Sequence, residues 1–170
     1  GGESALYGGV LRIACMPNTK PPNDSPEITS YIIKKAIRKT YITVYPIACI
    51  TKNQEGKDIT EFGRLKEAGA KAISDDGKWV QNSDVMKRAL FYAKNFDLAV
   101  ISHCEDLTLT KGGQINEGFF SAKLGLKGIP VSAEVIAVIR DLILAKETKK
   151  SIHLAHLSTK DVIPFLRWAK

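Results

Sequence analysis

The chain has 170 residues, of which 44% are hydrophobic and 25% charged, a balance typical of a globular domain that can bury a core. Its formal net charge of +7 does not indicate a nucleic-acid partner, because the Lys and Arg residues are dispersed and not gathered with aromatic side chains. The longest apolar runs, such as residues 135–145, are interrupted by charges and fall short of the roughly 18–20 apolar residues of a membrane span. We therefore expect neither a nucleic-acid partner nor a membrane-bound protein.

The three cysteines, Cys15, Cys49 and Cys104, argue against a disulfide framework. They are odd in number, widely spaced and located in or beside apolar runs, a pattern typical of a reducing compartment. No pair of them has the C-x-x-C spacing of a structural zinc site. We expect a cytoplasmic protein.

The first half of the chain predicts three strands and two helices. The strands are short apolar runs at residues 10–15, 41–48 and 71–74. The first helix follows Asp24-Ser25-Pro26, where a capping side chain precedes a proline. The second helix covers residues 59–68 and is closed by Gly69.

The second half continues the alternation of strands and helices. Helices are predicted at residues 83–96, where Ser83-Asp84 is the cap, at 132–148, and from the capping pair Ser158-Thr159 to the end. Strands are predicted at 98–102 and 151–155. The stretch 105–130 is long and irregular, which indicates an active-site loop containing a short helix.

Apolar strands that alternate with amphipathic helices predict an α/β fold with a parallel sheet. Two architectures satisfy this pattern, a doubly wound open sheet and a (β/α)8 barrel, and periodicity does not separate them. Polar groups follow several strands on the carboxyl side: Asn18, Asp75-Asp76, His103 and His156. These groups would meet only in a barrel, because all its βα loops open on one face.

Two imidazoles and a carboxylate that meet at one point suit a divalent cation such as zinc. His153 is the weaker ligand candidate, since strand alternation would turn it away from His156 and towards the helix layer. The same residues also allow purely structural roles. Asp75-Asp76-Gly77 is also typical of an acidic turn, and Asn18 of a turn residue. Residue types and spacing leave both interpretations open.

Five short motifs occur in a fixed order over nearly the whole chain. They are Cys15-Met16-Pro17-Asn18-Thr19, Ser74-Asp75-Asp76-Gly77, His103-Cys104-Glu105-Asp106, Ile115-Asn116-Glu117-Gly118 and His153-Leu154-Ala155-His156-Leu157-Ser158-Thr159. In this order they resemble the bacterial type of dihydroorotase, a family of the cyclic amidohydrolases.

The resemblance implies a (β/α)8 barrel of the metal-dependent hydrolase type, with one or two zinc ions at its carboxyl face. It implies reversible cyclisation of N-carbamoyl-L-aspartate to dihydroorotate, a step of pyrimidine biosynthesis. By resemblance, His103 and His156 would bind the second metal and Asp76 would be the bridging, catalytic carboxylate. Asp76 is preferred to Asp75 because its spacing to the HCED histidine matches the family. Asn18 resembles the residue that binds the substrate's carboxylate.

Two parts of the family's site have no counterpart here, the His-x-His-x-Arg motif after the first strand and the Asp after the eighth. We therefore expect residues 1–170 to be the central part of a single barrel domain, about strands two to six. Two alternatives remain, a catalytically silent subunit that assembles with aspartate transcarbamoylase and a related cyclic amidase acting on allantoin or hydantoins. The expected partners are a small-molecule substrate and, in an oligomer, a second copy of the chain or aspartate transcarbamoylase.

Overall fold

The computed structural model describes residues 1–170 and contains a parallel sheet of five strands. The sheet order is β1-β2-β3-β4-β7, and a separate parallel pair joins β5 to β6. The strands are β1 (Arg12–Cys15), β2 (Thr43–Ala48), β3 (Ala72–Ser74), β4 (Ala99–Ser102), β5 (Ile115–Asn116), β6 (Gly128–Ile129) and β7 (Ile152–Leu154). The predicted α/β class is confirmed, and all five predicted strands are present.

Eight helices accompany the strands. They are α1 (Gly2–Tyr7), α2 (Pro26–Lys39), α3 (Phe62–Glu67), α4 (Ser83–Lys94), α5 (Leu107–Thr110), α6 (Phe119–Leu124), α7 (Ser132–Thr148) and α8 (Ile163–Ala169), with 3-10 turns at Lys52–Gln54 and Lys160–Val162. None of these helices combines the length and the apolar character needed to cross a bilayer.

Successive strands of the main sheet are neighbours, which distinguishes this sheet from a doubly wound one. In a doubly wound sheet the order reverses at a switch point, and no reversal occurs here. The main core lies between the sheet and its helices, where strand residues such as Ile73 and Val100 meet Phe62 of α3 and Leu90 of α4. A second cluster joins Val138 of α7 to Trp79 and Val162. The sheet is an arc of a barrel with helices on its outer face.

Local capping explains where two helices begin. Ser25 precedes Pro26, and its hydroxyl accepts a hydrogen bond from Ile28 N at 3.4 Å, as the sequence predicted. The cap of α4 differs from the prediction. Asn82, and not Ser83, accepts from the amides of Asp84 and Val85, because an Asn side chain one residue earlier reaches the free N–H groups of the first turn.

A buried polar network fixes α7 against the sheet. The carboxylate of Asp141, which is fully buried, accepts from Ser102 Oγ at 2.5 Å and from Trp79 Nε1 at 3.2 Å. Arg140 donates to the same carboxylate through Nε at 2.8 Å and stacks over the Trp79 ring at 3.8 Å. Ser102 immediately precedes His103, so this network anchors the end of β4.

The segment 105–130 contains more regular structure than predicted. A short helix was expected, and the structure has two, α5 and α6, together with the β5-β6 pair. The strands of this pair have only two residues each, too short to give an apolar alternation in the sequence. The N-terminal helix α1 was likewise not predicted.

Candidate metal centre

Asp76, His103 and His156 lie together at the carboxyl edge of the sheet. One ligand atom of each lies within 4.8 Å of the others. His103 Nδ1 is 2.9 Å from His156 Nε2 and 3.9 Å from Asp76 Oδ1, and His156 Nε2 is 3.8 Å from the same oxygen. Side-chain exposure is 19% for Asp76 and His103 and 54% for His156, so the group is open to solvent on one side.

The register of three adjacent strands brings these side chains together. Ser74 of β3 is paired with Ile101 of β4, and Ser102 of β4 with Leu154 of β7. His103 follows β4 directly, whereas Asp76 and His156 each come two residues after the end of their strand. Because parallel strands end at the same edge, residues far apart in sequence converge on one point.

The donor set fits a divalent cation. Two imidazole nitrogens at 2.9 Å can make a hydrogen bond only if one of them carries a proton, whereas both can offer lone pairs to an ion placed between them. Two imidazoles and one carboxylate oxygen are ligands that zinc accepts. The residues Asp76, His103 and His156 could therefore hold a metal ion.

Glu105 contacts the opposite side of the His103 ring. One of its carboxylate oxygens lies 2.8 Å from His103 Nε2. An ionised carboxylate only accepts hydrogen bonds, so this contact favours the tautomer with the proton on Nε2. The lone pair of Nδ1 then faces His156 and Asp76. Glu105 belongs to the motif His103-Cys104-Glu105-Asp106, but the spacing of that motif does not predict this contact.

Asp75 has a different environment from Asp76. It is 3% exposed, and its Oδ1 accepts from Ile50 N at 2.8 Å and Thr51 N at 3.1 Å. Its other oxygen accepts from the Thr51 hydroxyl. Burial raises the pKa of this carboxyl to about 6. Asp75 ties the end of β3 to the loop after β2, and the cluster at the sheet edge contains Asp76.

Asn18 also reaches the site. Its Nδ2 donates to Asp76 Oδ2 at 3.0 Å. One N–H of the amide therefore orients Asp76, and the second N–H and the amide oxygen remain available to another group.

His153 is oriented differently from the prediction. Ile152 and Leu154 pack into the clusters on the helix side of the sheet, so His153 between them points to the opposite face. The expectation that His153 faces the helix layer is wrong, and its apolar neighbours in the sequence were the signal. His156 lies beyond the strand and reaches the cluster with a positive φ of 40°.

A cleft of about 470 Å³ adjoins the cluster and can take a small molecule. His103 and His156 lie in its wall, which also contains Asn116, Glu134 and Lys160. Cys104 lines it too, but burial raises the pKa of this thiol to about 12. A thiol so rarely ionised is a poor nucleophile, so the reactive groups of the cleft are the imidazoles and carboxylates.

The chain is similar to a known protein family and to several curated proteins. The model of the family described as dihydro-orotase-like matches residues 1–162. Curated proteins named dihydroorotase from Acetivibrio thermocellus and Syntrophus aciditrophicus are 55% and 52% identical to the chain over 170 residues. Both alignments cover 100% of this chain and 40% of the relative. The chain thus spans about two fifths of the length of these relatives.

Solved structures share the fold at lower identity. An L-hydantoinase (dihydropyrimidinase) from Arthrobacter aurescens aligns with a TM-score of 0.76 at 20% identity, covering 99% of this chain and 39% of that protein. A dihydroorotase from Saccharomyces cerevisiae, solved with 5-fluoroorotic acid, aligns with a TM-score of 0.66 at 16% identity, covering 94% and 43%. At these identities the likeness concerns the fold alone.

Proposed function

The chain belongs to the dihydroorotase-like family, and we propose that residues 1–170 are the central part of one barrel domain of a metal-dependent dihydroorotase. The reaction is the reversible closure of N-carbamoyl-L-aspartate to dihydroorotate, with loss of water. The substrate is a small dicarboxylate, and the protein acts in the cytoplasm.

The observation that carries the proposal is the approach of Asp76, His103 and His156, whose ligand atoms lie within 4.8 Å of one another. Their side-chain types fit zinc, one or two ions. By the family resemblance, His103 and His156 would be ligands of the second metal and Asp76 would be the carboxylate shared between the ions. Such an ion would supply a water of lowered pKa and polarise the amide carbonyl.

The chain's own residues orient the groups around that point. Asn18 donates to one oxygen of Asp76 at 3.0 Å, which leaves the other oxygen directed towards the two histidines. By the family resemblance, the second N–H of Asn18 would donate to a carboxylate of the substrate. Glu105 holds His103 in the tautomer whose Nδ1 lone pair faces the cluster.

The test uses the protein that contains this chain at its natural length. Turnover of dihydroorotate, N-carbamoyl-L-aspartate, allantoin and hydantoin is measured side by side, together with bound zinc. We expect turnover of the first pair and stoichiometric zinc, both lost in His103→Ala and His156→Ala. His153→Ala is the matched control, because this third histidine lies outside the cluster.

A wild-type protein without stoichiometric metal would overturn the proposed site, and so would undiminished turnover in the two cluster variants. Turnover of allantoin or hydantoin in place of dihydroorotate would reassign the substrate. The oligomer, a homodimer or a complex with aspartate transcarbamoylase, is proposed from the family resemblance and is tested by the mass of the purified particle.

A further inference from the structure

The loop that carries His156 is attached to helix α7 through one carboxylate. Glu134, the third residue of α7, accepts from the amide of Ser158 at 3.1 and 3.0 Å through its two oxygens. It also accepts from the Ser158 hydroxyl at 2.7 Å and from the amide of Thr159 at 2.9 Å. A single side chain therefore satisfies three donors that follow His156 by two and three residues.

This loop needs such an attachment, because His156 has an unfavourable backbone conformation. Its φ of 40° lies in the left-handed region, which is strained for a non-glycine residue and persists only when the surroundings impose it. The last main-chain bond of the sheet here runs from Ala155 N to Ser102 O. Beyond it, the amides of Ser158 and Thr159 donate to Glu134 and to no main-chain oxygen.

Helix α7, which carries Glu134, is itself bonded to the end of β4 and to the loop that follows it. Asp141, buried in the same helix, accepts from Ser102 Oγ at 2.5 Å, next to His103. The amide of Asp106 donates to Ala133 O at 3.0 Å, so the loop after His103 is bonded to the start of α7 as well. Helix α7 is therefore bonded to both loops at the site, the one that follows His103 and the one that contains His156. The first turn of a helix also favours a negative charge such as that of Glu134.

We propose that Glu134 is a positioning residue for His156, setting the distance of its imidazole from Asp76 and His103 and so the affinity of the cluster for a divalent cation. The proposal rests on the metal site of the proposed function. Glu134 lies among the cleft residues, but its carboxylate is occupied by the Ser158 and Thr159 donors, so it acts through the loop.

The experiment compares Glu134→Ala and Glu134→Gln with wild type in the protein at its natural length. Zinc affinity is measured by chelator competition, and amide hydrogen exchange is followed at Ser158 and Thr159. We expect Glu134→Ala to lower zinc affinity about 10–100-fold, the range found for residues that orient metal ligands, and to accelerate exchange at both amides. Glu134→Gln keeps one acceptor oxygen, so its zinc affinity and its exchange rates should lie between those of wild type and Glu134→Ala. Glu147→Ala is the control, an exposed glutamate on the same helix.

His156→Ala separates this inference from the proposed site. If His156→Ala lowers zinc affinity and neither Glu134 variant does, the positioning role is wrong and the metal site stands. If His156→Ala leaves zinc affinity unchanged, the site fails and the role of Glu134 fails with it. Should Glu134→Ala not fold, the isosteric Glu134→Gln decides: wild-type affinity and wild-type exchange at Ser158 and Thr159 would reject the proposal.

Discussion

His103 is held between two groups, with Glu105 2.8 Å from its Nε2 and His156 2.9 Å from its Nδ1. The carboxylate favours a proton on Nε2, and the lone pair of Nδ1 then points at the cluster. This relationship can be tested in the metal-free protein by NMR.

In Glu105→Ala, the His103 ring loses the partner of its Nε2 proton and should populate both tautomers. ¹⁵N–¹H correlation of the imidazole nitrogens in metal-free protein measures this population. We also expect zinc affinity to fall by about 10-fold or more. Glu105→Gln retains an acceptor and should keep most of the Nε2–H form. Glu55→Ala, an exposed glutamate, is the control. Unchanged imidazole shifts in Glu105→Ala would contradict the assignment.

Asp75 should be needed for its acceptor oxygens and not for its charge. Asp75→Ala leaves the buried amides of Ile50 and Thr51 without partners and should lower the free energy of unfolding by about 2–4 kcal/mol. Asp75→Asn keeps Oδ1 for both amides, and its Nδ2 can donate to the Thr51 hydroxyl, so we expect a change within about 1 kcal/mol. Urea unfolding measures both, with the exposed Asp58→Ala as control. Equal losses in the two Asp75 variants would show that charge matters.

The ion pair of Asp141 with Arg140 is largely buried, whereas the ion pair of Asp84 with Arg88 is exposed. Asp141→Ala leaves Arg140, which is 14% exposed, without its buried partner and should cost about 3–5 kcal/mol. The Arg88–Asp84 pair is 54% and 72% exposed, so Asp84→Ala should cost less than about 1 kcal/mol. Chemical denaturation of the two variants measures the difference. Similar losses would argue against a special role for the buried network.

The two buried thiols, those of Cys49 and Cys104, should be unreactive in the native protein. Burial raises the pKa of Cys49 well above its usual range and that of Cys104 to about 12, so at pH 8 both are almost entirely protonated. Since the thiolate is the nucleophile, iodoacetamide should label them about 100-fold more slowly than in urea-unfolded protein, with the rate rising as pH rises. Peptide mass spectrometry follows each site. Rapid labelling of native Cys104 would contradict its buried environment.

The sequence predicted the elements that depend on periodicity. Apolar runs located all five strands of the main sheet, and the groups that follow them led to Asp76, His103 and His156. Their role as ligands stays a prediction. What the sequence could not predict depends on the path of loops. Glu134 lies in the first turn of a helix and meets Ser158 only because the chain returns to it after β7.

The error on His153 had a similar origin. Neighbouring side chains in β7 do face opposite sides of the sheet. The prediction, however, chose the face of His153 from that of His156, which lies beyond the strand and has a turn conformation. Ile152 and Leu154 are the residues that show which side of β7 faces the helices, because their apolar side chains pack against the helix-covered core.

The three donor groups come from three strands that are adjacent in the sheet. An ion bound by all three would recognise the native arrangement alone, because separating any one of these strands disperses the set. By mass action, a free concentration 100 times the dissociation constant would add about 2.7 kcal/mol to the free energy of unfolding. The cluster would then act as a reversible cross-link between strands, and the supply of the ion would influence how long the folded protein persists.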